Sequence, residues 1–423
     1  MADVRPFRGL RYNTEIVGEL SNIVSPPFDT IPPELQRSLH LRSPYNVVRL
    51  EAGERLSSDT DQDNRYTRSA ALFADWMNKA ILVREESPAF YLVQHTFMSR
   101  GREMSRLELM ARVRLEEYER RVVLPHEYTR DEDKRDRLAL MDACNANFSP
   151  IMCLYRDGEL RLSSTFRLVM AGPPIMDFSD PADQGYRVWK INDQEQITEI
   201  SEALASRPLY IADGHHRYET ALTYRDRTRL GHAGGQGDGD AAFNFMMMGL
   251  VEFDDPGLMV LPYHRVLGSL SDEALARVRN KLGEFFDSED LSGGVQGGLG
   301  KLLDEIELRG KDRLVMGLLD PVTSDGYRLL TRKRGVVRDE WSPVGDSEAW
   351  ILEEQVLKPI LGDSLGKCID YVHDGDEAEE KVSRGEFQMG FFLMPFPLNY
   401  GHGATTSSQG HLLLPQAAHR AGD

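Results

Sequence analysis

The sequence predicts an α/β (α+β) protein with a mixed-sheet core and a smaller α+β lobe towards its C-terminal end. Three observations carry this expectation. Short strand-like apolar runs alternate with helical periods along the first 267 residues; an apolar run at residues 208–213 passes through Asp213 and Gly214 directly into a helical pattern; and the patterning changes again after Leu267. The organisation expected is an N-terminal and central lobe over 1–267, a C-terminal lobe over 268–395 and a tail over 396–423. A chain of 423 residues exceeds one ordinary core, which supports that division.

Charge and cysteine usage narrow the function classes. Sixty-eight acidic against 50 basic residues leave a formal charge of -18, which disfavours nucleic acid and anionic membranes as partners while still permitting a local basic pocket. Cys144, Cys153 and Cys368 lack paired spacing, so no disulfide framework or thiolate zinc site is expected. The start MADVRPFRGL has no apolar signal core, and no run reaches the ~20 residues of a membrane span. A soluble, cytoplasmic protein is the expectation.

Taken in order, residues 1–50 are extended and turned by proline, as in IVSPPFDTIPPEL, where Asp29 is expected to cap the following helix. A helix follows with Tyr66, Ala70, Phe73 and Trp76 or Met77 on one face. Segments 89–97 and 107–115 read as a hairpin about SRGRE. VVLPHE then ends a strand at His126 and Glu127, either of which accepts a proton and is a candidate base or ligand; a solitary His-Glu pair is weak evidence by itself. The charge run 130–137 reads as a solvated helix face. NFSPIMCLY resumes strand character, with Asn147 at the corner as a cap or ligand-holding amide and Asp157-Gly158 as a hairpin turn. Segment 173–186 reads as a loop, YRVWKI as a strand, and Asn192 as the cap of a helix burying Ile197, Ile200 and Leu204.

The run LGHAGGQGDGD reads as a flexible loop, and FNFMMMGLVEF as a buried strand whose methionines fill core. His264 and Arg265 follow another short strand, as a second basic pair able to converge on the first. Beyond Leu267, Leu275, Val278, Leu282 and Phe285 align on a helix. SGGVQGGLG is a linker that lacks the lysine of a phosphate loop, and RLVMGLL and YRLLT form paired strands. A helix near 350–361 and the strand QMGFFLM close the lobe.

The chemistry concentrates in PLYIADGHHRYETAL, residues 208–222. Glycine allows the tight turn and a close approach to the main chain, and the first-turn amides and dipole of the next helix favour an anion. Arg217 adds a planar fork for phosphate or carboxylate, and His215 or His216 can donate or move a proton near neutral pH. Asp213 stands where it could hold Mg²⁺ or orient a hydroxyl. These parts suit phosphoryl transfer, which needs positioning and charge neutralisation. The bland alternative is that Asp213 caps the helix while the others form surface ion pairs. A metal-hydrolase alternative would use two or more of His126, Glu127, Asp213, His215, His216 and His264, but adjacent histidines do not share a helix face.

At RPFRGLRYN, SPPFDTI, SPYNVVRL, VVLPHE, NFSPI, LYIADGHHRYETAL and LPYHR, in that order over about residues 4–395, the chain resembles the domain of unknown function numbered 1015, whose members are often labelled ParB-related. More distantly, ITEISEAL, PLYIA and DGHHRYETA are similar to the strand–turn–helix core of the ParB and sulfiredoxin superfamily, which binds nucleotide phosphates and includes a free-serine kinase using a nucleoside diphosphate. The resemblance implies that Gly214, His216 and Arg217 hold phosphates and that Asp213 and His215 lie near the transferred group; Glu127, at its strand exit, is a candidate catalytic carboxylate that the resemblance does not align. His126, Asn147, His264 and Arg265 are candidate substrate contacts. The implied function is an ADP- or ATP-dependent, Mg²⁺-assisted kinase acting on a small hydroxylated metabolite; a nucleotide-responsive ParB-like binding protein without turnover is the alternative, although the ParB DNA reader is not recognisable here.

The tail departs from the family's usual ending, which resembles MPQKSTYFYPKLLTGL. One choice of codons for GHLLLPQAAHRA reads ATYFYPKLLTG one base later, so a frame shift between about Met394 and Gly410 and a disordered tail are expected. Any site residue supplied by that ending would then be missing.

Overall fold

Strands of the first 258 residues, some buried on both faces, form the sheet that places the 213–217 turn. The computed structural model describes residues 1–99, 101–125, 131–157, 161–231, 238–258, 264–291, 298–310, 313–322, 326–333, 348–372 and 374–393. Among them the chain divides into two units, at Leu258 and Met259, so that the 264–267 segment goes with the second unit.

In the first unit β1 (Val4–Arg5), β2 (Leu10–Tyr12), β3 (Leu82–Arg84), β4 (Phe90–Ser99), β5 (Arg102–Arg114), β6 (Val123–Leu124), β7 (Ile151–Tyr155), β8 (Met176–Ser179), β9 (Gly185–Ile191), β10 (Leu209–Asp213) and β11 (Phe245–Glu252) appear in chain order. Nine of them form one sheet in the order β6-β10-β7-β11-β5-β4-β9-β8, with β1 paired to β5; β2 and β3 form a separate ribbon. The sheet is mixed: β10 runs parallel to β6 and β11 parallel to β7, while the other pairs are antiparallel. The expected β4–β5 hairpin is present, turned at Gly101, whose φ of 73° suits glycine.

Helices bury their apolar stripes in one core with this sheet. Phe166, Ile200, Leu204, Tyr218 and Ala221 meet Leu109, Ile151, Cys153 and Met248 there, full burial of each leucine, isoleucine, methionine or phenylalanine contributing ~1.5–3 kcal/mol of transfer free energy. The helix Arg65–Asn78 starts at a capping box on Asn64 and buries Trp76 in a satellite cluster with Leu50, Ile81 and Leu82. Cys144 and Cys153 are buried free thiols, and burial pushes the first up to about 11.

Several local expectations are corrected. Pro32, without a side-chain cap, precedes the helix Pro33–Arg42, so Asp29 does not cap it. β7 pairs with β10 and β11 rather than in a hairpin at Asp157, whose Oδ2 instead accepts from the Leu162 amide at 2.9 Å, ahead of the helix Arg161–Met170. The 173–186 loop contains β8, which folds back on β9. Asp193, not Asn192, caps the helix Gln194–Ala205, accepting from the amides of Glu195 and Gln196. The β7 pairing was set by strands distant in sequence, and the Asp193 cap by a one-residue shift of phase.

The second unit contains β12 (His264–Leu267), β13 (Phe286–Asp290), β14 (Val315–Leu319), β15 (Tyr327–Arg332), β16 (Ile369–Val372) and β17 (Met389–Phe392) in one antiparallel sheet, ordered β13-β15-β14-β17-β12-β16. Leu275, Val278 and Leu282 of the helix Asp272–Phe285 pack in one core, and Leu299, Leu302 and Ile306 of Gly298–Arg309 pack in another with Ala378 and Val382. No described helix is long and apolar enough to cross a membrane. The glycine-rich run 232–237 and the tail 394–423, including any frame-shifted segment, lie outside the described residues.

Candidate functional site

The strand β10 ends at Asp213, the chain turns at Gly214 with φ of 99°, and the helix His215–Gly231 begins. The strand sits between β6 and β7, and its register with β7 shifts between Ile211 and Asp213, a bulge that re-aims the strand end. Gly214 opens the helix by accepting from the Tyr218 amide at 3.0 Å. The first turn of a helix directs its amides outward, and a 17-residue helix brings its positive end to this corner.

Arg217 folds back over the glycine. A Cβ placed on Gly214 would stand 3.0 Å from Arg217 Nε and 3.1 Å from its Cζ, so the absent side chain is the space the guanidinium occupies. That fork donates to the Pro150 carbonyl and pairs with the Asp213 carboxylate. Arg217 is 11% exposed and Asp213 62%, so a half-enclosed cation stands beside a carboxylate open to solvent. His215 is buried, and His216 half-buried.

The helix is locked from behind by a buried phenol. Tyr218 donates its hydroxyl to the Glu116 carbonyl at 2.7 Å, accepts from the Glu116 amide at 3.0 Å and stacks on Tyr118 with ring centroids 5.4 Å apart. Thr220 and Glu219 meet Lys134 of the helix Asp131–Cys144, which packs alongside. Tyr224 reaches Asn145 at 2.6 Å.

Three side chains not singled out from the sequence stand next to the turn. Glu51 is 8% exposed and accepts from Ser149 Oγ, whose neighbour Pro150 holds Arg217. Burial raises its carboxyl above the usual range, partly offset by the charges of Arg137 and Arg217. Arg137, at 7% exposure, donates to the Glu51 carbonyl at 3.2 Å, bonds Asp136 and lies 3.8 Å over the Phe28 ring. The 130–137 charge run is therefore corrected: its described part includes the buried Arg137 as well as the exposed Arg135. A detectable signal was phase, because Arg137 precedes the inward Leu138 and stands one turn before Met141, which packs on the core.

Other expected contacts fall differently. Asn147 Oδ1 accepts from the Met247 amide at 3.1 Å, bonding to β11. His264 and Arg265 lie within β12 rather than after a strand, in the second unit: His264 Nδ1 accepts from the Leu393 amide, and Arg265 pairs with Glu353 and stands over Tyr371. His126 and Glu127 lie outside the described residues. Among those described, no three histidine, cysteine or acidic side chains gather as a metal-ligand set. Asp213 is a single open carboxylate, which fits Mg²⁺ held chiefly by phosphates and water better than a site of several side chains.

A family model described as protein of unknown function (DUF1015) matches residues 4–346. Among solved structures, free serine kinase in complex with AMP shares 12% identity, covers 70% of this chain and 82% of its own, and superposes with a TM-score of 0.31. A conserved hypothetical protein from Pyrococcus furiosus shares 13% identity over 70% of this chain and 85% of its own, with a TM-score of 0.32. No curated protein matches the chain.

Proposed function

We propose that this chain, which belongs to the DUF1015 family, binds the phosphates of ADP or ATP at the 213–217 turn and transfers one phosphoryl group to a small hydroxylated metabolite. The observation that carries the reading is Arg217, lodged over Gly214 at the mouth of a long helix and fixed there by Pro150 and Asp213. A fork held in place loses little freedom when it meets a phosphate, and the helix end adds a field of the same sign.

In this mechanism Gly214, His216 and Arg217 hold the nucleotide's phosphates. The acceptor's hydroxyl oxygen forms a bond to the terminal phosphorus while the bond from that phosphorus to its bridging oxygen breaks. The electron pair leaves with the nucleotide, which departs one phosphate shorter, and the hydroxyl proton passes to Asp213, the solvent-facing carboxylate, or to His215. Glu127 is a further proposed base. Mg²⁺, held by Asp213 and the phosphates, would supply charge neutralisation when bound. Soluble, cytoplasmic enzymes of this kind need no nucleic-acid partner, consistent with the formal charge of -18.

The ion pair between Asp213 and Arg217 also favours a second reading, a nucleotide-responsive module without turnover, because it already engages the carboxylate. Titration calorimetry with ADP and ATP in Mg²⁺, followed by ³¹P NMR with pooled hydroxy metabolites, separates the two. Binding that Arg217→Ala abolishes, together with a new phosphoester signal, is expected. Binding without a product in any pool selects the module, and failure of both nucleotides to bind overturns the proposal.

A further inference from the structure

Within the first unit a pocket of about 510 Å³ opens beside the Arg137 and Glu51 neighbourhood. Its size falls in the range of sites for small metabolites. Four guanidiniums line it, from Arg55, Arg65, Arg135 and Arg137, against the single carboxylate of Asp136. In a chain with 18 more negative than positive charges, a formal local surplus of three positive charges runs against the global field.

The pocket is constructed around its acidic centre. Asp136 takes Arg65, Arg137 and the Tyr66 hydroxyl, the last at 2.6 Å, so two arginine forks are held by one shared carboxylate. Arg65 is 16% and Arg137 8% exposed at the side chain, whereas Arg55 is 75% exposed at the rim. Burial holds both inner guanidiniums below the ordinary arginine range, against the raising effects of Tyr66 on Arg65 and of Glu51 on Arg137, with smaller like-charge contributions from Arg55 and Arg137 at Arg65 and from Arg217 at Arg137. Positive charge crowded and desolvated in this way is relieved by an anion.

We infer that this pocket binds a small dianion, a phosphomonoester or a dicarboxylate, and that the phosphoryl acceptor of the proposed reaction carries that dianion as its anchor. The inner pair Arg65 and Arg137 supply preset forks, and Arg55 and Arg135 close over the rim. The path from pocket to turn is continuous: Arg137 bonds the Glu51 carbonyl, Glu51 bonds Ser149, and the next residue, Pro150, bonds Arg217. The charge of Arg217 also acts on Arg137, which couples the pocket's inner wall to the turn. The acceptor assignment rests on the phosphotransfer reading, whereas dianion binding does not.

The test is calorimetric titration of full-length protein with succinate and, separately, inorganic phosphate, for the wild type, the double variant Arg55→Ala with Arg135→Ala, and Arg217→Ala. The double variant changes only exposed side chains, and circular dichroism checks its fold. Loss of two rim charges is expected to weaken succinate by about tenfold while ADP binding changes less than about twofold. Arg217→Ala should give the converse. In Arg217→Ala, where the turn no longer contributes, preference for phosphate identifies a phosphomonoester and preference for succinate a dicarboxylate; binding of neither probe to the wild type overturns the pocket assignment. Wild-type affinity for both probes in the double variant overturns the pocket assignment even if ADP binds. Failure of ADP to bind, with succinate binding still lost in the double variant, overturns the nucleotide reading and leaves the dianion site standing.

Discussion

The Arg217 guanidinium is paired with the Asp213 carboxylate four residues earlier, across the face of Gly214. Under the proposed function this pair would restrain the arginine with a group that an incoming phosphate can compete with. Without Mg²⁺, Asp213→Asn should therefore raise ADP affinity by about threefold, the order of a partly exposed ion pair, while phosphoryl transfer measured with Mg²⁺ falls. Calorimetry and single-turnover kinetics would read opposite signs; a fall in ADP affinity would overturn the competition, and unchanged transfer would remove Asp213 from the proton-accepting role.

Gly214→Ala places a Cβ 3.0 Å from Arg217 Nε at a φ of 99°. The expected destabilisation is about 1–3 kcal/mol, read as a lower denaturation midpoint, with weaker nucleotide binding because the guanidinium must move. An unchanged midpoint would show that the turn relaxes without cost.

Tyr218→Phe removes a hydroxyl that both donates to and accepts from the Glu116 backbone. Those groups are left without the phenol in the core, so a loss of about 1–3 kcal/mol is expected in urea denaturation. Because the hydroxyl lies behind the turn, the folded variant should keep ADP binding.

Glu348, in the second unit, has its carboxyl pushed up to about 7 by burial, against an ordinary value of 4.5. The folded state then holds this proton more tightly than the unfolded chain. Stability from this group is highest below 4.5 and falls as pH rises from 4.5 to about 7, after which the cost is constant. Glu348→Gln should reduce the decline in denaturant midpoint between pH 5 and pH 8; an identical pH profile would show that the group titrates normally.

The local pieces were legible because their signals are local. The strand β10, the glycine turn and the helix behind it follow from an apolar run, a residue tolerant of positive φ and the spacing of Tyr218, Ala221 and Leu222, all within fifteen positions. The β4–β5 hairpin and the β14–β15 pair were legible for the same reason, since each joins neighbours in sequence. Pairings across the chain carry no such mark: that β10 lies between β6 and β7 depends on contacts with segments more than fifty residues away.

Charge shows the same division. By itself the sequence determined that Asp213, Gly214, His215, His216 and Arg217 share a strand-to-helix corner. Only the tertiary structure decided that Arg217 is shared between Asp213 and Pro150, that Glu51 and Arg137 are buried beside it, and that four arginines from two separate segments line one pocket. The physical reason is that a side chain's type and period are written along the chain, whereas its desolvation and its partner are set by whichever distant segment packs against it.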